Sequence, residues 1–127
     1  MNADERRSDE ITETTIGASY RVANTLGQGF LEKVYENALV IELRGAGLLV
    51  EQQKPIEVRY QGVVVGDYIA DLLVENSILV ELKAVKKLDE VHVAQCLNYL
   101  KATGLKVCLL LNFGTDRVEV RRLVNSF

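Results

Sequence analysis

The chain holds 127 residues, 48% hydrophobic and 26% charged, with one Pro and no Trp; this composition fits one ordinary globular domain over 1–127 and excludes a largely disordered chain. With 15 basic and 18 acidic side chains the net charge is −3, which excludes gripping nucleic acid by overall charge, because non-specific affinity comes mostly from phosphate neutralisation. No apolar run approaches the ~18–20 residues that span a bilayer, and Met1 to Glu10 is unlike a secretory leader, so a cytoplasmic protein without membrane contact is expected.

Residues 1–8 read as a flexible polar lead-in, followed by a helix from about Ser8 to Leu26 with Ile11, Ala18, Val22 and Leu26 at helical spacing. Gly27 and Gly29 stop it. A second helix is predicted over Phe30 to Arg44, its stripe being Leu31, Val34, Ala38 and Ile41, with Gly45 and Gly47 as stop signals. After Pro55, Ile56, Val58 and Tyr60 alternate with charged residues as in a strand, and Gln61-Gly62 supplies a turn. Val63 to Val74, which Gly66 can bend, and Ile78 to Lys83 complete a three-stranded meander around the turn at residues 75–77. Asp89 to Thr103 returns to helical spacing with Val93, Leu97 and Leu100 as the buried set. Lys106 to Asn112 is apolar enough for a central strand, and Val118 to Val124 alternates like an edge strand. The order α-α-β-β-β-α-β-β predicts an α/β fold, a mixed β-sheet flanked by helices.

Acidic residues interrupt two of these apolar strands: Asp71 in the second, and Glu81 with Lys83 in the third. A buried unpaired carboxylate is costly, so such groups need a partner, a cation or water. Asp71 and Glu81 lie five residues either side of Asn76, which puts them opposite each other in an antiparallel hairpin. Two carboxylates at that range repel unless a cation joins them, and hard oxygen ligands suit Mg²⁺ or Mn²⁺. Lys83, on the same face as Glu81, could orient an attacking water. A structural Asp–Glu–Lys salt-bridge cluster would leave the same trace. On the helices, His92, Gln95 and Tyr99 share a polar stripe able to face a site, while Glu32, Tyr35 and Glu36 share a face near a helix N-terminus. His92 has no second His or Cys at ligand spacing and is not read as a metal ligand. Cys96 and Cys108 fit no metal-ligand spacing and read as half-buried thiols.

Gly29-Phe-Leu-Glu32-Lys-Val-Tyr35 reads as G-x-x-E-x-x-Y. Together with Gln53-Lys-Pro-Ile56, Ala70-Asp-Leu-Leu-Val74, Val80-Glu-Leu-Lys-Ala84, His92-Val-Ala-Gln95 and Leu110-Leu-Asn-Phe-Gly114, it makes residues 11–124 resemble the GxxExxY protein family, a compact branch of the PD-(D/E)XK nuclease superfamily. The resemblance implies a restriction-endonuclease-like core and a divalent-metal-dependent nuclease acting on DNA in preference to RNA. It implies that Asp71, Glu81 and the Leu82 carbonyl hold the cation, that Lys83 serves the attacking water, and that Glu32 binds a second ion or an outer-shell water. Gln95 and Tyr99 match an element lying beside the nucleic-acid backbone in related nucleases, and Tyr35 and His92 join them as expected substrate contacts. The alternative is a non-catalytic nucleic-acid- or protein-binding module that keeps the fold, and the small size leaves room for a homodimer or a protein partner.

Overall fold

The computed structural model describes residues 2–125. Asn2 starts the first helix by accepting the Glu5 backbone N–H at 2.8 Å, and α1 (Ala3–Leu26) follows with Asp4 and Glu5 in its first turn, where the helix dipole favours acidic groups. The polar lead-in expected over residues 1–8 is therefore helical from Ala3. Arg7 bonds Glu75 at 2.8 Å and Arg122 bonds Asp9 at 2.9 Å, tying these turns to the sheet through charge rather than apolar burial. Hydrophobic periodicity carries no record of such ties. The Gly27 N–H closes the helix on the Ala23 carbonyl.

The second helix, α2 (Glu32–Gly45), buries Tyr35, Glu36, Leu39, Val40 and Leu43. The predicted stripe is displaced: Leu31 and Ile41 are 80% and 73% exposed. Tyr35 sets the rotation, because its ring stacks on Phe113 with centroids 4.7 Å apart while its hydroxyl donates to the Gly27 carbonyl at 2.6 Å. The α3 helix (Glu90–Thr103) is rotated similarly: it buries Cys96, Tyr99 and Leu100 while Leu97 is exposed.

Five strands, β1 (Val50–Tyr60), β2 (Val63–Val74), β3 (Ile78–Lys83), β4 (Val107–Asn112) and β5 (Glu119–Val124), form one sheet in the order β1-β2-β3-β4-β5. All neighbours are antiparallel except β3 and β4, which run parallel across the α3 connection. The expected mixed sheet flanked by helices is the observed one. The first strand begins at Val50, upstream of Pro55; a proline is tolerated there because β1 is an edge strand with one side unpaired. The register slips between Val58 and Arg59 opposite Gly66, where a bend was expected.

Even-numbered β3 residues and odd-numbered β4 residues, Val80, Leu82, Leu109 and Leu111 among them, pack against α1 and α2. Leu79, Cys108 and Leu110 pack with α3 on the opposite face. Cys96 and Cys108 are both free and fully buried in that second layer, rather than half-buried. Residues 81 and 83 therefore share the α3 face.

Candidate active site

The ladder between β2 and β3 covers only Leu72–Val74 and Ile78–Val80. One step further the register sets Asp71 opposite Glu81, as the hairpin arithmetic requires, and side chains replace the backbone ladder. The Asp71 N–H donates to Glu81 Oε1 at 2.7 Å, and the Leu82 N–H donates to Asp71 Oδ2 at 2.8 Å. The two carboxylates thus pin the fork at which β2 leaves β3 to continue with β1. Glu81 is 4% exposed; burial, reinforced by the Asp71 charge, pushes its carboxyl up to about 8. Burial also raises Asp71, against the pull of the Leu82 N–H.

Lys83 follows Glu81 on the same face, half-buried. Its carbonyl accepts the Phe113 N–H at 2.8 Å, so the Lys83 backbone faces β4 and the Leu82 N–H and carbonyl turn toward Asp71. Among the described residues the ion pairs leave Lys83 out, so Asp71, Glu81 and Lys83 do not form a salt-bridge cluster. Instead Lys83 lines an open cleft of about 430 Å³ between α3 and the β1–β2 arm, together with His92, Gln95 and Tyr99.

Glu32, the first residue of α2, is half-buried, and burial raises its carboxyl against the opposing pull of Lys83; Asp71 and Glu36 add to the rise. His92 faces the cleft while its Nδ1 accepts the Asp89 N–H at 3.2 Å in a capping box, which fixes the ring. Tyr99 is 4% exposed, and burial with the nearby Glu81 charge pushes its hydroxyl up to about 12, so it stays protonated. Tyr35 is a correction to the expected substrate contacts. It is 1% exposed, and its hydroxyl is engaged by Gly27 and Phe30, so it belongs to the core.

Two supporting groups carry weaker sequence signals. Gln53 has a left-handed backbone, φ 55°, and its Nε2 donates to the buried Glu36 carboxylate at 3.0 Å, while its nearness to Asp71 offsets a little of the rise in that carboxyl. Glu36 further accepts from Lys33 and Gln52, so α2 and β1 are joined beside the fork. Asn112 clasps the segment after Lys83: it accepts the Val85 N–H and donates to the Val85 carbonyl at 3.0 and 2.9 Å. Its polar side chain at the end of an apolar strand was the available clue; for Gln53 no local pattern announces the left-handed turn.

Two desolvated carboxylates, an adjacent backbone carbonyl and a third carboxylate on α2 form a hard-oxygen donor set that fits a divalent cation, whose charge would relieve their mutual repulsion. Among the described residues no three acidic, His or Cys side chains already close into a cage, so the backbone carbonyl is part of the fit.

The model of the PD-(D/E)XK nuclease superfamily matches residues 9–123. The chain belongs to this superfamily. No curated protein matches the sequence significantly. Among solved structures, this superfamily chain resembles SSO0001 with a TM-score of 0.59 at 19% identity, over 76% of its own length and 51% of that chain, about half. It also resembles LHK-Exo, an alkaline exonuclease from Laribacter hongkongensis, in complex with dAMP, with a TM-score of 0.51 at 14% identity over 91% of this chain and 83% of that one. At these identities the likeness shows the shared fold. No helix among the described residues is long and apolar enough to cross a membrane.

Proposed function

We propose that this PD-(D/E)XK chain hydrolyses phosphodiester bonds of nucleic acid, DNA in preference to RNA, using Mg²⁺ or Mn²⁺. The observation that carries the reading is the fork: two carboxylates desolvated at the point where the strands part, with an ion-pair-free Lys83 beside them in an open cleft. A salt-bridge scaffold would have joined the lysine to the acids.

Asp71, Glu81 and the Leu82 carbonyl are the residues that would hold the cation. When bound, that cation supplies Lewis acidity toward a phosphate oxygen and lowers the pKa of a water. The Lys83 ammonium orients the attacking water and offsets charge developing on the phosphate. Glu32 enters from α2 and accepts a hydrogen bond from water at the edge of the site or contributes to a second ion. His92 and Gln95 line the approach and contact the substrate backbone, while Tyr99, held protonated, shapes the wall.

Labelled single- and double-stranded DNA and RNA are incubated with Mn²⁺, Mg²⁺ or EDTA, beside an identically prepared Lys83→Ala. The expected outcome is metal-dependent cleavage that falls by about 10²-fold or more in the variant, with metal affinity retained. Cleavage equal in both preparations would sink the assignment. Metal binding without cleavage by either would point to a binding module.

A further inference from the structure

The cleft beside Lys83 does not end at the catalytic fork. A second hollow, of about 540 Å³, shares Val58, Tyr68 and Asn98 with it and carries Arg59 and Lys101 at its far side. His92, Gln95, Asn98 and Lys101 recur every three residues along α3, so successive polar groups are neighbours that wind part-way round the helix over about 14 Å, passing from the first hollow to the second at Asn98. Tyr68 stands between the two hollows. The residue is 50% exposed, and its ring lies 5.8 Å from the buried Tyr99 ring, tilted by 55°. Tyr99 braces it from behind, leaving Tyr68 half exposed to solvent.

Resting on the nuclease reading of the same site, we infer that this double hollow is a track for an unpaired nucleic-acid strand, in which a base beside the scissile phosphate stacks on Tyr68. A stacking platform serves only a base whose face is free. Asn98, shared by both hollows beside Tyr68, offers a carbonyl acceptor and an amide donor, which suits the Watson–Crick edge of any base, and that edge is free only when the nucleotide is unpaired. Past Tyr68, Lys101 has no carboxylate partner among the described residues and meets a neighbouring phosphate. Arg59 is held at 2.9 Å by Glu57 and at 3.3 Å by the Gly62 carbonyl; it stays at the mouth of the hollow with donors left for the same strand. The apolar wall of Val58 and the exposed Val91 excludes water from the stacked base. The substrate class is therefore single strands, or duplex ends that fray into one.

Fluorescence anisotropy in EDTA compares a labelled single strand of about 10 nucleotides, within the usual site sizes, with a blunt duplex of equal length. The single strand should bind at least about tenfold more tightly. Tyr68→Ala should weaken strand binding by about 5- to 100-fold, the range expected for one stacked base, while Tyr68→Phe keeps it; Lys101→Ala should weaken it less. Unchanged melting curves show that these exposed substitutions leave the fold intact. Equal affinity for strand and duplex, no binding of either, or indifference to Tyr68→Ala would overturn the track. Cleavage by the wild-type chain in Mn²⁺, measured in parallel, separates the two readings. Cleavage lost in Lys83→Ala but with unchanged KM in Tyr68→Ala leaves the nuclease standing and removes the track, whereas strand binding lost in Tyr68→Ala with no cleavage keeps the track and removes the nuclease.

Discussion

Glu81 is acidic where the surroundings favour a neutral group, and this sets a pH signature. Its carboxyl ordinarily titrates at 4.5 and is raised to about 8 in the fold, first by burial and then by Asp71. The folded state thus binds this proton more tightly than the unfolded state does, so its stabilising contribution is full below about 4.5 and is lost as pH rises toward about 8. Glu81→Gln keeps an oxygen to accept the Asp71 N–H and can donate to the Asp71 carboxylate, removing a buried charge without removing volume. In EDTA the variant should therefore be the more stable chain at pH 8–9, by on the order of 1–3 kcal/mol, with the gap closing near pH 5. The same variant should lose divalent-cation binding. Thermal melts across pH check this, and a stability difference independent of pH would contradict it.

The loop that follows β3 is held by the end of β4. Asn112 bonds both backbone groups of Val85, accepts the Gly114 N–H at 3.0 Å and donates to Glu119 at 2.7 Å. A Cβ on Gly114 would overlap the Val85 backbone, so glycine is required by close approach. Asn112→Ala strands several buried polar groups and should lower stability by about 2–4 kcal/mol, while kcat falls because Lys83 begins the loosened segment; Gly114→Ala should act in the same direction. Urea denaturation and cleavage rates read the two effects, and a full-rate Asn112→Ala would remove the clasp from the account. The hairpin and the facing pair Asp71 and Glu81 were legible because turn residues and a period of two fix a register. Helix rotation was not. In α2, Leu31, Val34 and Ile41 recur at nearly the same interval as Tyr35, Leu39 and Leu43, so the pattern supports two faces, and the choice falls to the ring of Tyr35 on Phe113, 78 residues away in the chain. In α3, an aromatic residue outcompetes Leu97 for the core for the same reason: the sheet offers a Tyr-sized space that no local pattern announces.

At the scale of the whole molecule, a net charge of −3 opposes the approach of a polyanion, so long-range steering cannot load the site and contact must do so. The basic groups that line the track are Lys83 at the fork and Lys101 with Arg59 beyond Tyr68, while Arg122 is bonded to Asp9 near α1 and cannot share the task. Counterion release then involves two or three phosphates, and for a single strand the slope of log K against log salt should lie between about −1.4 and −2.1. Lys101→Ala should reduce its magnitude by about 0.7, whereas Tyr68→Ala should weaken binding without altering it, because stacking releases no counterions. Titrations at several salt concentrations distinguish these effects. A slope steeper than about −4 would mean that the strand meets many more charges than one cleft supplies, and would extend binding to the exposed Lys86 and Lys87 beyond the cleft.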